Sequence, residues 1–148
     1  TAMEMIEPED GSALAFALLL RGAGIVEQKA GRRHLKISRP VTLREGAIEI
    51  TAVPADGFRI TFTIEYDHPA IGVQTITFDV EEDAFVREIA PARTFVLESE
   101  VPDLRSRGYG AQASYENVLV IGPEGPVGGH PLRYADEPVA KLWSPALV

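Results

Sequence analysis

Residues 58–66 constrain the fold more than any other stretch of the chain. Phe58, Ile60, Phe62, Ile64 and Tyr66 alternate without a break against Arg59, Thr61, Thr63 and Glu65. A period of two over this length specifies a strand with one face in a core and the other in water. After the turn Asp67-His68-Pro69-Ala70, residues 75–80 repeat the Thr/apolar alternation. Residues 47–53 alternate as well. The Pro54-Ala55-Asp56-Gly57 turn signal between them and residues 58–66 predicts a hairpin joining the two runs. Shorter strands are expected at 34–37, stopping before Pro40, and at 115–121, and residues 94–97 form a short apolar run. The Pro/Gly-rich residues 122–129 read as an irregular loop.

Helical signals are few. Asp10-Gly11-Ser12 offers an N-cap ahead of the strong helix formers 13–20, and Gly22 and Gly24 end that run. The run is apolar nearly all round, which predicts a buried helix. Residues 81–89 switch to helical spacing, with Ala84, Phe85, Val86 and Ile89 inward, and Pro91 closes them. Residues 101–107 suit one or two helical turns. Strands in runs with few helices predict an α+β fold: a two-layer sandwich of mostly antiparallel sheet with helices on one face. The expected division is a lead-in helix at 1–24 and a single domain at 25–148.

Several function classes are excluded by composition. Fourteen Lys and Arg stand against 22 Asp and Glu, a net charge of −8, so a nucleic-acid-binding role is not expected. Cysteine is absent, which removes disulfides, thiolate nucleophiles and Cys-based zinc sites. No apolar run reaches the roughly 18 residues of a membrane span. Thr1-Ala2-Met3-Glu4 has no secretory leader pattern, so a cytoplasmic location is the default.

Local motifs leave the chemistry open. His34, His68 and His130 are far apart and match no zinc spacing. Asp67-His68 reads as turn chemistry in preference to an acid–base pair. Asp79, Glu81, Glu82 and Asp83 read as a solvated helix start. Ser114 has no adjacent base. Arg93-Thr94 pairs a cation with a hydroxyl, a combination that can stabilise an oxyanion, but from spacing alone a polar helix end with a core Phe is the preferred reading.

Three longer segments point further: residues 10–16 (DGSALAF), 62–71 (FTIEYDHPAI) and 85–95 (FVREIAPARTF), supported by 104–108 (LRSRG) and 132–137 (LRYADE). In order and spacing they resemble the UDP-3-O-acyl-N-acetylglucosamine deacetylases, zinc amidases of lipid A biosynthesis. The resemblance runs from about Asp10 to Glu137.

That family pairs two similar α+β domains across its active site, and this chain resembles the second. The resemblance gives Thr94 a place beside the zinc-bound carbonyl and puts Phe95 and Arg93 next to the substrate. The insert at about 96–121, with Leu104, Gly108 and Ser114, corresponds to the acyl-chain passage. Gln112 and Ala113 replace two of its glycines. Nothing matches the first-domain T-x-E-H motif, which carries a zinc histidine and the general base. Where the family's ligand helix reads D-E-F-V-R-H-K-x-x-D, residues 136–145 read DEPVAKLWSP, without the metal-binding His and Asp. Pro138 and Pro145 disfavour a long helix there.

The expectation is therefore a deacetylase-like chain holding no metal and inactive by itself. A second expectation is a binding module for a nucleotide-sugar, an acyl chain or a partner deacetylase. A second copy of the chain is the candidate cover for an exposed sheet face.

Overall fold

In the computed structural model, residues 10–31 and 33–143 are described. The expectations that rest on residues 1–9 and 144–148, including Pro145, lie outside them.

The alternation at 58–66 produces strand β3 (Arg59–Glu65), which pairs antiparallel with β4 (Val73–Asp79). The turn between them is closed by Ile71 and Gly72 N–H groups donating to the His68 carbonyl, at 3.0 and 2.8 Å. The His68 ring joins this turn, its Nδ1 accepting from the Ala70 N–H at 3.3 Å. Ile60, Phe62, Ile64, Ile76 and Phe78 face inward, while the outer face carries Thr61–Thr77 and Thr63–Thr75 hydroxyl pairs at 3.0 and 2.8 Å. Asp79 belongs to this strand pair, where it holds Arg59, and not to a helix start.

A second sheet orders three strands β5-β6-β7: β5 (Phe95–Leu97), β6 (Leu119–Gly122) and β7 (Gly125–Pro126). β5 and β6 are parallel, and β6 and β7 antiparallel. The strand expected over 115–121 is thus shorter. The Asn117 side chain accepts from the Ser114 N–H at 2.8 Å and donates to the Gln112 carbonyl at 3.2 Å, which holds those residues in a turn. The loop expected over 122–129 is also corrected in part, because Gly125, at φ +130°, lets two residues fold back onto β6.

Two further expectations fail nearer the start. Residues 34–37 form no strand. The strand lies beyond Pro40 as β1 (Val41–Glu45), which turns at Gly46 (φ +59°) to pair with β2 (Ile48–Ala52). β2 pairs with β1 and not with β3, so the expected β2–β3 hairpin through residues 54–57 does not form.

Helix α1 (Leu14–Ala23) forms, but it is not buried: Leu19 and Leu20 are 70% and 71% exposed. Its packing, chiefly at residues 85–89, half-buries Leu14, Ala15 and Ala17, while residues 18–23 are all exposed, so the second half of an all-round apolar sequence is uncovered. Its N-cap is Ala13, while the expected cap side chains act one step earlier. Asp10 Oδ1 accepts from the Ser12 N–H and hydroxyl at 3.0 and 2.7 Å, and Ser12 Oγ accepts from the Leu14 N–H at 3.4 Å.

Helix α2 (Glu82–Ala84) widens into a π-helical turn, Phe85–Ile89. A 3-10 turn (Glu98–Glu100) leads into α3 (Val101–Ser106), and α4 (Glu137–Trp143) closes the described chain. Pro138 sits in the first turn of α4, where its missing N–H costs nothing. Val139 fills a core with Ile64, Ile71, Leu119 and Ile121. Ala140 fills a second core with Phe78, Ile89 and Ala92. α4 thus wedges between the two sheets and the π turn. The architecture is α+β with antiparallel and mixed sheets. None of the helices is long and apolar enough, among the described residues, to cross a membrane.

Candidate functional site

Three distant parts of the chain meet at residues 91–95. Pro91 ends the π-helical turn, and the chain then runs through Ala92 and Arg93 into β5. Thr94 is fixed by its backbone on both sides: its N–H donates to Gly11 at 2.8 Å, and its carbonyl accepts from Leu119 at 2.8 Å. Phe95 packs edge-to-face on Tyr66, with ring centroids 6.0 Å apart.

Arg93 is turned inward onto Glu137, which is 0% exposed. Nε and Nη2 donate to the two carboxylate oxygens at 2.8 and 2.9 Å, and the Arg93 backbone N–H adds a third bond at 3.0 Å. Nη2 also reaches the Pro131 carbonyl at 2.7 Å, and the Arg133 N–H donates to Glu137 Oε2 at 2.8 Å. The carboxylate thus receives four bonds in a forked geometry that suits guanidinium.

Burial alone would raise the Glu137 pKa, but Arg93 and the two backbone N–H groups hold it below its ordinary value. Arg93 moves up, mainly because Glu137 accepts from it. Arg133 extends the network outward, bonding the Pro91 carbonyl at 2.6 Å and the Asp10 carboxylate. Asp10 also lies below its ordinary value: its partial burial is outweighed by bonds from Arg133 and Ser12.

Gly11 is required at this joint. Its φ is +77°, and a Cβ there would lie 2.0 Å from the Asn117 carbonyl oxygen.

The remaining residues expected on the substrate side lie further along. Leu104 is half-buried on α3. Gly108 (φ +83°) closes that helix in a Schellman arrangement: its N–H donates to Arg105 at 3.0 Å, and that of Tyr109 to Leu104 at 2.9 Å. Ser114 is exposed in the turn that leads to β6, whose Leu119 bonds Thr94. So Arg93, Thr94, Phe95 and the Ser114 turn converge on the β5–β6 pair. Leu104 and Gly108 join them only through the 3-10 turn.

Two open clefts lie elsewhere. One, of about 440 Å³, is lined by Thr75, Thr77, Arg87, Glu88, Tyr134 and Asp136. The other, of about 500 Å³, is lined by residues 129–132 and Pro126. Sequence reasoning did not find the partnership of Glu137 with Arg93, 44 positions away. The signal available was an acid at the head of a helix whose next three residues, Pro138, Val139 and Ala140, are apolar.

A model of the UDP-3-O-acyl N-acetylglycosamine deacetylase family matches residues 6–141. The UDP-3-O-acyl-N-acetylglucosamine deacetylase of Neisseria gonorrhoeae is 40% identical, over 91% of this chain and 46% of its own length. The proteins of the same name from Syntrophotalea carbinolica and Bdellovibrio bacteriovorus are 42% and 41% identical. Each aligns with 86% of this chain, covering 41% and 42% of their own lengths. The chain belongs to the UDP-3-O-acyl N-acetylglycosamine deacetylase family. It spans under half the length of the curated relatives it matches.

The zinc that the resemblance implies can be tested against the donors present. Glu137 is saturated by Arg93 and Arg133. His34, His68 and His130 sit on separate segments: before β1, in the β3–β4 turn and in the loop before α4. No group of three or more His, Cys, Asp or Glu among the described residues could hold a metal ion. The described residues do not fit a zinc site.

Proposed function

We propose that this chain supplies the substrate-facing part of a deacetylase acting on UDP-3-O-acyl-N-acetylglucosamine in lipid A biosynthesis, and that these 148 residues do not hydrolyse the amide themselves. The observation that carries this reading is the fate of Glu137. The acid at the head of α4 is committed to Arg93, so it fixes the Arg93-Thr94 peptide and is not free to serve a metal or a proton transfer.

In this reading Thr94 presents its hydroxyl toward the substrate carbonyl, and Phe95 offers an apolar edge to the acyl or sugar group. Leu104, Gly108 and Ser114 border the acyl chain. Residues 1–24 are the lead-in and 25–148 the domain. The protein works in the cytoplasm.

The test is deacetylation of UDP-3-O-acyl-N-acetylglucosamine by the purified chain, with and without added zinc. No turnover above the blank is expected, and metal-dependent turnover would overturn the inactivity. A second reading, a binding module, draws on the rigid anchoring of Thr94. Calorimetric titration with UDP-N-acetylglucosamine or a fatty acid tests it: the module must release or absorb heat on at least one of them, and no heat on either would dispose of it.

A further inference from the structure

The charge of this acidic chain is unevenly distributed. Of its 14 cations, five fall within residues 29–39, and no Asp or Glu stands between Glu27 and Glu45. The same stretch has no helix or strand among its described residues. Lys29, Arg33, Lys36 and Arg39 are all exposed.

Seven cations elsewhere are used internally. Arg21, Arg44, Arg59, Arg87, Arg93, Arg107 and Arg133 each hold a carboxylate. Lys29, Arg33, Lys36 and Arg39 form no ion pair among the described residues. Apolar side chains flank and interrupt them: Val26 is 86% exposed and Leu35 90%, with Ile25 beside them. Leu19 and Leu20, in the middle of α1, are exposed as well. No Phe, Tyr or Trp lies in residues 24–40.

From this pattern we propose that residues 25–39 dock the protein onto an anionic lipid bilayer. Charge complementarity identifies the occupant as an anion-rich surface. On a chain of net charge −8, an unpaired basic strip gives attraction only where that strip faces the anions. The interleaved aliphatic side chains suit the boundary between headgroups and acyl chains. Single-stranded nucleic acid is the other polyanion, but its binding grooves stack bases on aromatic rings, which this strip does not carry. The proposal stands independently of the catalytic reading.

The test is co-sedimentation of the full chain with phosphatidylcholine vesicles, with and without phosphatidylglycerol. Binding is expected only when the anionic lipid is present. It should fade between about 0.1 M and about 1 M salt, where the Debye length falls from about 10 to about 3 Å.

Replacing Lys29, Lys36 and Arg39 together by Gln should lower partitioning by about fivefold per cation, on the order of a hundredfold in all. Leu35→Ser should weaken binding severalfold while leaving its salt dependence intact. Equal binding to both vesicles, no binding to either, or an unaffected triple variant would overturn the proposal. Tighter binding to a single-stranded oligonucleotide than to the anionic vesicles would overturn it in favour of nucleic acid. The vesicle and salt comparisons use the unaltered chain, so they do not depend on how the variants fold.

Discussion

At the scale of single residues, Glu137 carries the most weight. Removing its charge leaves the Arg93 guanidinium buried opposite a neutral group, a change that costs about 3–5 kcal/mol in comparable buried pairs. Glu137→Gln should therefore lower the unfolding free energy by roughly that amount in urea titration. The pH dependence has a definite sign. Glu137 and Asp10 both titrate lower in the folded chain than unfolded, so their stabilisation is complete above their ordinary values of 4.5 and 3.8. It is lost as pH falls through the folded values. Denaturation midpoints should drop in that acid range, and Glu137→Gln should flatten the drop.

Tyr134 acts at the other end of the scale. Burial, with Glu137 and Asp136 adding to it, raises its pKa, and its hydroxyl donates to the Glu88 carbonyl at 3.2 Å. In the unfolded chain the phenol ionises near 10, so stability should fall above that pH, and Tyr134→Phe should reduce the fall, leaving the part due to Tyr66, whose pKa burial also raises. Gly11→Ala forces a Cβ into the Asn117 carbonyl at a positive φ, which should destabilise by about 2 kcal/mol or more and loosen the lead-in.

Little of this was legible in advance. The Arg93-Thr94-Phe95 segment was found by its pattern, yet the direction of Arg93 was not. The partner that turns it inward is 44 residues away, and local spacing carries no such information.

At the scale of elements, alternation was read well where both faces have a fate. β3 and β4 appear as expected because their even residues enter a core and their odd residues pair threonines in water. It misled where the pattern was short. Residues 34–37 alternate, but the backbone finds no neighbour, whereas residues beyond Pro40 find one through the Gly46 turn. A helix apolar all round was expected inside, and α1 instead packs by its first half only, leaving residues 18–23 exposed.

The β1–β2 pair has the opposite character to β3–β4. Thr42–Thr51 and Arg44–Glu49 contacts occupy one face, and Val41, Leu43, Ile48 and Ile50 on the other are exposed. Two-stranded ribbons are marginal without a packed face. Amide hydrogen exchange should therefore be markedly faster in β1–β2 than in β3–β4, whose inner face is covered by α4 and the π turn.

At the scale of the whole molecule, the chain matches the family's model across residues 6–141, and its α4 helix is organised around an ion pair. Motif order across the chain made the family legible, since several segments agree in register. The role of α4 was only half legible: the departure of residues 136–145 from the family pattern was visible as letters, but not the structural use of Glu137. The central claim is that the donors present hold the fold together and do not hold zinc. Its most direct test is elemental analysis of zinc per chain, on protein purified without a His tag and then dialysed against zinc. The account predicts far less than one zinc per chain. About one tightly held zinc per chain would contradict it and would mean that His34, His68 or His130 joins carboxylates in a site that the described geometry does not contain.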